Sequence, residues 1–164
     1  MKKAVFIDRD GVVNSDEGHY YIYKIEDFVL NPDLPSALAL LKEAGFMLVL
    51  ITNQGGVAKG IYTVDDVNAI HQKMQGILQA YNANFDAIYC CPHHNEVSNC
   101  ECRKPKPGML LQAAEEYDID LSESFLIGDS LRDIQAGEAA GVKQSYRVEK
   151  NTSILGICES IVKQ

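Results

Sequence analysis

The segment Asp8-Arg9-Asp10-Gly11 sets two carboxylates at alternate positions where a short apolar run, Ala4 to Ile7, ends. In an extended strand such side chains share a face, and Gly11 lets the chain turn sharply just beyond them. Two carboxylates held that close repel each other. A hard divalent cation relieves the repulsion, and Mg²⁺ prefers one or two carboxylates completed by water and phosphate oxygens. Asp129, closing the run Leu126-Ile127-Gly128-Asp129, offers a further ligand, so the expected magnesium set is Asp8, Asp10 and Asp129. The chemistry this suits is phosphate ester hydrolysis, for which accelerations up to about 10²¹ are known. Asp8 attacks phosphorus to form an acyl phosphate, while Asp10 protonates the leaving oxygen and later deprotonates water.

Cations and donors for the phosphate follow along the chain. Thr52 and Asn53 close the second apolar run with a hydroxyl and an amide, and Gly55-Gly56 leaves the backbone free to approach an anion. Arg103-Lys104 stands just before Pro107, where fixed charge can bind a transferring group. Each feature alone is commonplace: a D-x-D pair is often a solvated loop, Thr and Asn are ordinary turn residues, and Arg-Lys is usually a surface pair. Their occurrence together at strand ends carries the inference.

Cys91-x-His93, then six residues, then Cys100-x-Cys102 supplies three thiolates and one imidazole. That is the tetrahedral set of closed structural zinc sites, which leave no position for an activated water. Zn²⁺ there would fix the loop leading into Arg103-Lys104. Cys90 and His94 are alternative ligands by proximity, although Cys90 reads as part of the third strand and Cys158 as packing in the last helix. His71 reads as an ordinary surface or boundary residue.

The elements that must position these groups are legible in the pattern. Apolar runs at Ala4–Ile7, Phe46–Ile51, Phe85–Cys90, Ser124–Ile127 and Lys143–Val148 alternate with helical periods, which predicts an α/β fold, a Rossmann-like parallel sheet sandwiched by helices. Leu34, Ala37, Leu38 and Leu41 before Gly45 predict one helix, and Thr63 with Asp66 caps a second. Others are predicted from near Pro107, over Leu131–Ala140 and over Thr152–Val162. In such sheets ligands lie beyond the carboxyl ends of the strands, where Asp8, Thr52, Cys91 and Asp129 all fall.

At 164 residues the chain has the size of one domain, expected to span 1–164 with a zinc-binding loop at 91–102. Its net charge of −8 repels nucleic acid and anionic membrane, and repels a phosphate substrate too, so metal, backbone N–H groups or placed cations must offset it locally. No apolar run approaches the roughly 18 residues of a membrane span, and the opening Met1-Lys2-Lys3 is not followed by a signal-peptide pattern. A cytoplasmic monomer is expected, with five cysteines kept reduced.

With these residues in view, the chain resembles the haloacid dehalogenase (HAD) superfamily of phosphatases over Phe6 to about Gly141. Asp8-x-Asp10-Gly11 is similar to its first motif, Leu50-Ile51-Thr52-Asn53 to its second, Lys104 to its third and Gly128-Asp129 to its fourth. Ile51-Thr52-Asn53-Gln54, Cys91-Pro92-His93 and Cys100-Glu101-Cys102-Arg103-Lys104-Pro105 resemble two sister groups without a large cap domain. One is the heptose 1,7-bisphosphate phosphatases of lipopolysaccharide or S-layer precursor synthesis; the other is the histidinol-phosphatases. Gly18-His19-Tyr20 and Gly56-Val57-Ala58-Lys59-Gly60 are more similar to the heptose group. The resemblance implies a small sugar phosphate substrate, with Asp16, Glu17, Gly18 and His19, and Thr52, Asn53, Gln54 and Gly55, lining it. It implies Arg103 at the second phosphate or sugar, and Thr52 with Lys104 steadying the transferring group. Ser130 departs from the lysine that tends to follow the fourth-motif aspartate. A receiver-like signalling domain and an inactive HAD scaffold are the non-enzymatic alternatives; the first would carry its phosphorylated aspartate later in the chain.

Overall fold

In the computed structural model, which describes residues 1–164, the five apolar runs form one parallel sheet in the order β3-β2-β1-β4-β5. The strands are β1 (Ala4–Ile7), β2 (Met47–Asn53), β3 (Ala87–Cys91), β4 (Phe125–Gly128) and β5 (Gln144–Arg147). Every residue of β1 and β4 is buried, as central strands covered on both faces must be. Ile7 pairs with both Leu50 and Ile127, so β1 and β4 end within a residue of each other while β2 runs three residues further. The strand order reverses between β1 and β4, at the switch point where open α/β sheets bind ligands. A receiver domain has the order 2-1-3-4-5 instead, so the topology sets that alternative aside.

Helices α1 (Leu34–Glu43), α2 (Val64–Gln79), α3 (Gly108–Tyr117), α4 (Leu131–Ala140) and α5 (Leu155–Val162) cover the two faces. Alternation along β1 sends Val5 and Ile7 into a core with α1, α2 and α5, and Ala4 and Phe6 into a second core with α3 and α4. Leu34, Ala37, Leu38 and Leu41 are the buried stripe of α1, each buried leucine contributing about 1.5–3 kcal/mol. Thr63 and Asp66 form the expected reciprocal cap of α2, and α4 ends at Gly141 in the left-handed region, φ 88°.

Two boundaries differ from the sequence pattern in ways that matter. β2 continues past Ile51 through Thr52 to Asn53, because Asn53 still pairs with Cys91 of β3. α5 begins at Leu155 rather than Thr152, after a turn in which Asn151 takes φ 62°. Between Gly11 and Asp33 there is no cap domain, only turns, one 3₁₀ turn at Ile25–Asp27 and a bridge from Asn14 to Leu30. No helix is long and apolar enough to cross a membrane.

Candidate active site at the carboxyl edge of the sheet

Lys104, 3 % exposed, is the hub of the inner site. Its ammonium donates to Asp8 Oδ1 at 2.8 Å, Asp133 Oδ1 at 2.6 Å and the Ile51 carbonyl at 3.1 Å. Burial opposes the charge, but the two carboxylates outweigh it and hold Lys104 above the usual lysine range. Burial also works against the Asp133 carboxylate, and Lys104 overcomes it, so Asp133 lies below its ordinary value. Asp8 goes the other way: burial pushes it well up, Lys104 offsets this only in part, and Asp133 and Asp129 push it further. Asp129 is raised by burial and by Asp133.

One ammonium therefore faces three carboxylates, Asp8, Asp129 and Asp133, whose ligand oxygens lie within 4.8 Å of one another. An uncompensated, partly buried excess of negative charge on hard oxygen donors is what a divalent cation of the magnesium type fits. Asp133 was absent from the expected set. Its signal was the spacing Ser130-x-x-Asp133, a capping box: the Ser130 N–H and hydroxyl both donate to Asp133 Oδ2, at 3.1 and 3.0 Å. Gly128 makes this approach possible, since a Cβ there would stand 2.2 Å from that of Asp133. Ser130 is thus committed to starting α4. Positive charge on this side comes instead from Arg132 and from Lys150, whose ammonium lies 3.1 Å from Asp16 Oδ2.

The Asp10 carboxylate does not join the cluster, which corrects the expected face-sharing with Asp8. Alternation would need the strand to continue, but β1 ends at Ile7 and the amides of Val12, Val13 and Asn14 turn back onto the Arg9 carbonyl. Asp10 Oδ1 accepts from Arg9 Nε (3.0 Å) and Nη2 (2.8 Å) and from Asn14 Nδ2 (3.0 Å); Oδ2 accepts from Gln54 Nε2 (3.1 Å). Arg9 itself is fully buried, with Nη1 3.3 Å from His71 Nε2. Arginine can only donate, so that imidazole nitrogen accepts and the ring is neutral. His71 is correspondingly a buried residue and not the surface or boundary residue expected; burial and Arg9 lower it to about 4.

An inner pocket of ≈ 170 Å³ holding Asp8, Asp10, Lys104 and Asp129 adjoins an outer cleft of ≈ 300 Å³. Of the residues expected at the substrate, Asp16, His19, Asn53, Gln54, Gly55 and Arg103 line the outer cleft, joined by Tyr20, Tyr21 and His94. Glu17 and Gly18 are exposed and do not line it. Thr52 is 1 % exposed behind them; its hydroxyl oxygen accepts from Gln54 Nε2 at 2.8 Å. A wider groove of ≈ 690 Å³ at the opposite end of the sheet carries no catalytic group, and its Lys42 is engaged by the Asn84 carbonyl at 2.7 Å.

Cys91, His93, Cys100 and Cys102 form a second cluster beside the cleft. Cys91 Sγ lies 3.6 Å from both Cys100 Sγ and His93 Nδ1, Cys102 Sγ 3.6 Å from Cys100 Sγ, and His93 Nδ1 3.3 Å from Cys102 Sγ. Metal–sulfur bonds of about 2.3 Å at tetrahedral angles give an edge of about 3.8 Å, so the set has the dimensions of a zinc cage. Cys90 and His94 lie outside it. Arg103 is tied to the cluster, its N–H 3.4 Å from Cys100 Sγ and its Nη1 donating to the His93 carbonyl at 3.0 Å, while its buried Nε has no partner.

Known proteins are similar to this chain in sequence and in fold. The family described as polynucleotide kinase 3 phosphatase matches residues 4–153. A D-glycero-beta-D-manno-heptose-1,7-bisphosphate 7-phosphatase from Pasteurella multocida is 42% identical over 159 residues, 94% of this chain and 85% of the relative. The protein of that name from Helicobacter pylori is 43% identical over 150 residues, 91% of this chain and 85% of its own length. A crystal structure of D,D-heptose 1,7-bisphosphate phosphatase from B. bronchiseptica, complexed with magnesium and phosphate, matches with a TM-score of 0.88 at 34% identity over 98% of both chains. The chain belongs to this family of heptose-bisphosphate phosphatases, within the HAD phosphatases.

Proposed function

We propose that this chain hydrolyses the 7-phosphate of D-glycero-D-manno-heptose 1,7-bisphosphate, through an aspartyl-phosphate on Asp8. The observation that carries this reading is the two-part cleft: an acid-lined inner pocket with Asp8 against Lys104, opening to an outer cleft with Arg103, Arg132 and Lys150. One phosphate reacts inside while the outer cations receive the rest of a doubly charged substrate. The names of its relatives support the same substrate class.

Magnesium, held by the Asp8 and Asp129 carboxylates in the inner pocket that Asp10 also lines, would neutralise charge between nucleophile and phosphate. An Asp8 oxygen bonds to phosphorus as the ester oxygen leaves, and Asp10 gives that oxygen its proton, so the sugar departs as an alcohol. Water then attacks the acyl phosphate and Asp10 takes its proton, releasing inorganic phosphate and the Asp8 carboxylate. Lys104 stays charged throughout and, with the Thr52 hydroxyl, steadies the transferring group. Asp16, His19, Asn53, Gln54 and Gly55 contact the sugar, and Arg103 the second phosphate. Glu17 and Gly18 shape the turn that carries Asp16 and His19.

Zn²⁺ on Cys91, His93, Cys100 and Cys102 plays a structural part. Such sites contribute on the order of 10 kcal/mol in zinc-finger peptides, enough to fix the loop that places Arg103. Placement in the synthesis of surface-polysaccharide precursors follows from the substrate. Release of inorganic phosphate from both anomers of heptose 1,7-bisphosphate and from histidinol phosphate tests the reading. The highest kcat/KM is expected on a bisphosphate; preference for histidinol phosphate overturns it.

A further inference from the structure

The Gln54 side chain, 2 % exposed, spends its amide group on reactive neighbours, donating to Asp10 Oδ2 at 3.1 Å and Thr52 Oγ1 at 2.8 Å. A primary amide turned over would present its oxygen to Asp10 Oδ2, repelling the ionised carboxylate and, once Asp10 is protonated, accepting the proton meant for the leaving oxygen. What holds the productive orientation from behind is the Tyr62 hydroxyl, which donates to Gln54 Oε1 at 2.6 Å. Tyr62 is 5 % exposed, stacked on Tyr23 at 5.1 Å and 5° and met edge-on by Tyr21 at 5.6 Å. Gly56 leaves room for the ring, since a Cβ there would stand 2.1 Å from Tyr62 Cε1. Arg9 and Asn14 fix one oxygen of Asp10; the other is fixed by Gln54 alone among the protein groups.

We propose that Tyr62 is a positioning residue for the proton transfer: its hydroxyl orients the Gln54 amide, which aims the Asp10 carboxyl at the leaving oxygen. This rests on the reading of Asp10 as proton donor and extends it one step behind Gln54. The effect is selective by leaving group. A sugar alkoxide needs the proton as the P–O bond breaks, whereas p-nitrophenolate leaves without one, so aim matters for the first substrate and not the second. The value of kcat/KM reports only steps up to departure of the leaving group, so the later base role of Asp10 does not enter it.

The test is Tyr62→Phe, which keeps the ring and removes the hydroxyl, assayed on heptose 1,7-bisphosphate and on p-nitrophenyl phosphate with magnesium present. Losing the orienting bond is expected to lower kcat/KM about tenfold on the sugar phosphate and less than about twofold on the nitrophenyl ester. Tyr23→Leu, which removes the ring stacked on Tyr62 and touches neither pocket, is expected to show the same selectivity in weaker form and serves if Tyr62→Phe does not fold. Equal losses on both substrates, or none on either, overturn the proposal. Asp10→Asn in the same assay separates the two levels: an equal loss on both esters for that variant removes the proton-donor reading itself, whereas a selective loss there with none for Tyr62→Phe removes only the role of Tyr62.

Discussion

Arg103 and Lys104 are neighbours in the chain, yet they are held by different parts of the molecule. Lys104 is gripped by the sheet: three acceptors surround its ammonium, and its main chain exchanges two hydrogen bonds with the Asn53 side chain, at 3.1 and 3.2 Å. Arg103 is gripped by the cysteine–histidine loop, through a Cys100 sulfur and the His93 carbonyl. The bond-breaking centre is thus built into the regular geometry of parallel strands, while the recognition centre hangs on a segment with no regular structure between Cys91 and Gly108. A family of phosphatases can keep the first and retune the second by changing one loop.

The comparison breaks most severely on the sheet side. Lys104→Met leaves Asp8 and Asp133 without their shared cation, and removing one partner of a buried ion group costs about 3–5 kcal/mol. Denaturant unfolding should show that loss, and turnover should fall on every phosphate ester, because the inner pocket serves them all. Stability unchanged from the parent would contradict the role given to this knot.

Cys100→Ser is the corresponding cut on the loop side, with a narrower effect. One metal ligand and the anchor of the Arg103 amide go together, so the variant should retain little zinc by elemental analysis. KM for a bisphosphate should rise about tenfold or more, as expected for a lost charge-assisted contact, while p-nitrophenyl phosphate should be hydrolysed nearly as before. Equal damage to both substrates would mean that the loop also carries Lys104, against the Asn53 clamp.

The effect smallest at neutral pH is a pH dependence on the sheet side. Burial and Arg9 lower His71 in the fold to about 4 from its ordinary 6.5, so the unfolded chain binds the proton more readily between those values. Its contribution is complete above pH 6.5 and is lost as pH falls toward 4, on the order of 3 kcal/mol in all. Replacing it, His71→Gln, should flatten that acid limb of stability; an unchanged limb would mean that other groups produce it.

The strands and the four-ligand loop were legible in the sequence because both are local: apolar runs between turn residues, and ligands closely spaced about one short segment. Asp133 was legible in principle, three residues beyond the cap residue Ser130, but its service to Lys104 depends on the start of α4 meeting the loop that follows Cys102 across the sheet edge. The Asp10 contacts were not legible, since they come from Arg9, Asn14 and Gln54 after a turn that no period announces. Burial of His71 likewise follows from Arg9, 62 residues away in the chain, filling the space against α2.

The most direct measurement of the whole account is the site of phosphoryl capture. With fluoroberyllate and magnesium present, the adduct should form on the Asp8 carboxylate, and Asp8→Asn should form none and lose turnover by at least about 10⁴-fold while keeping its fold and zinc. An adduct on any other side chain, or near-parental turnover in Asp8→Asn, would contradict it.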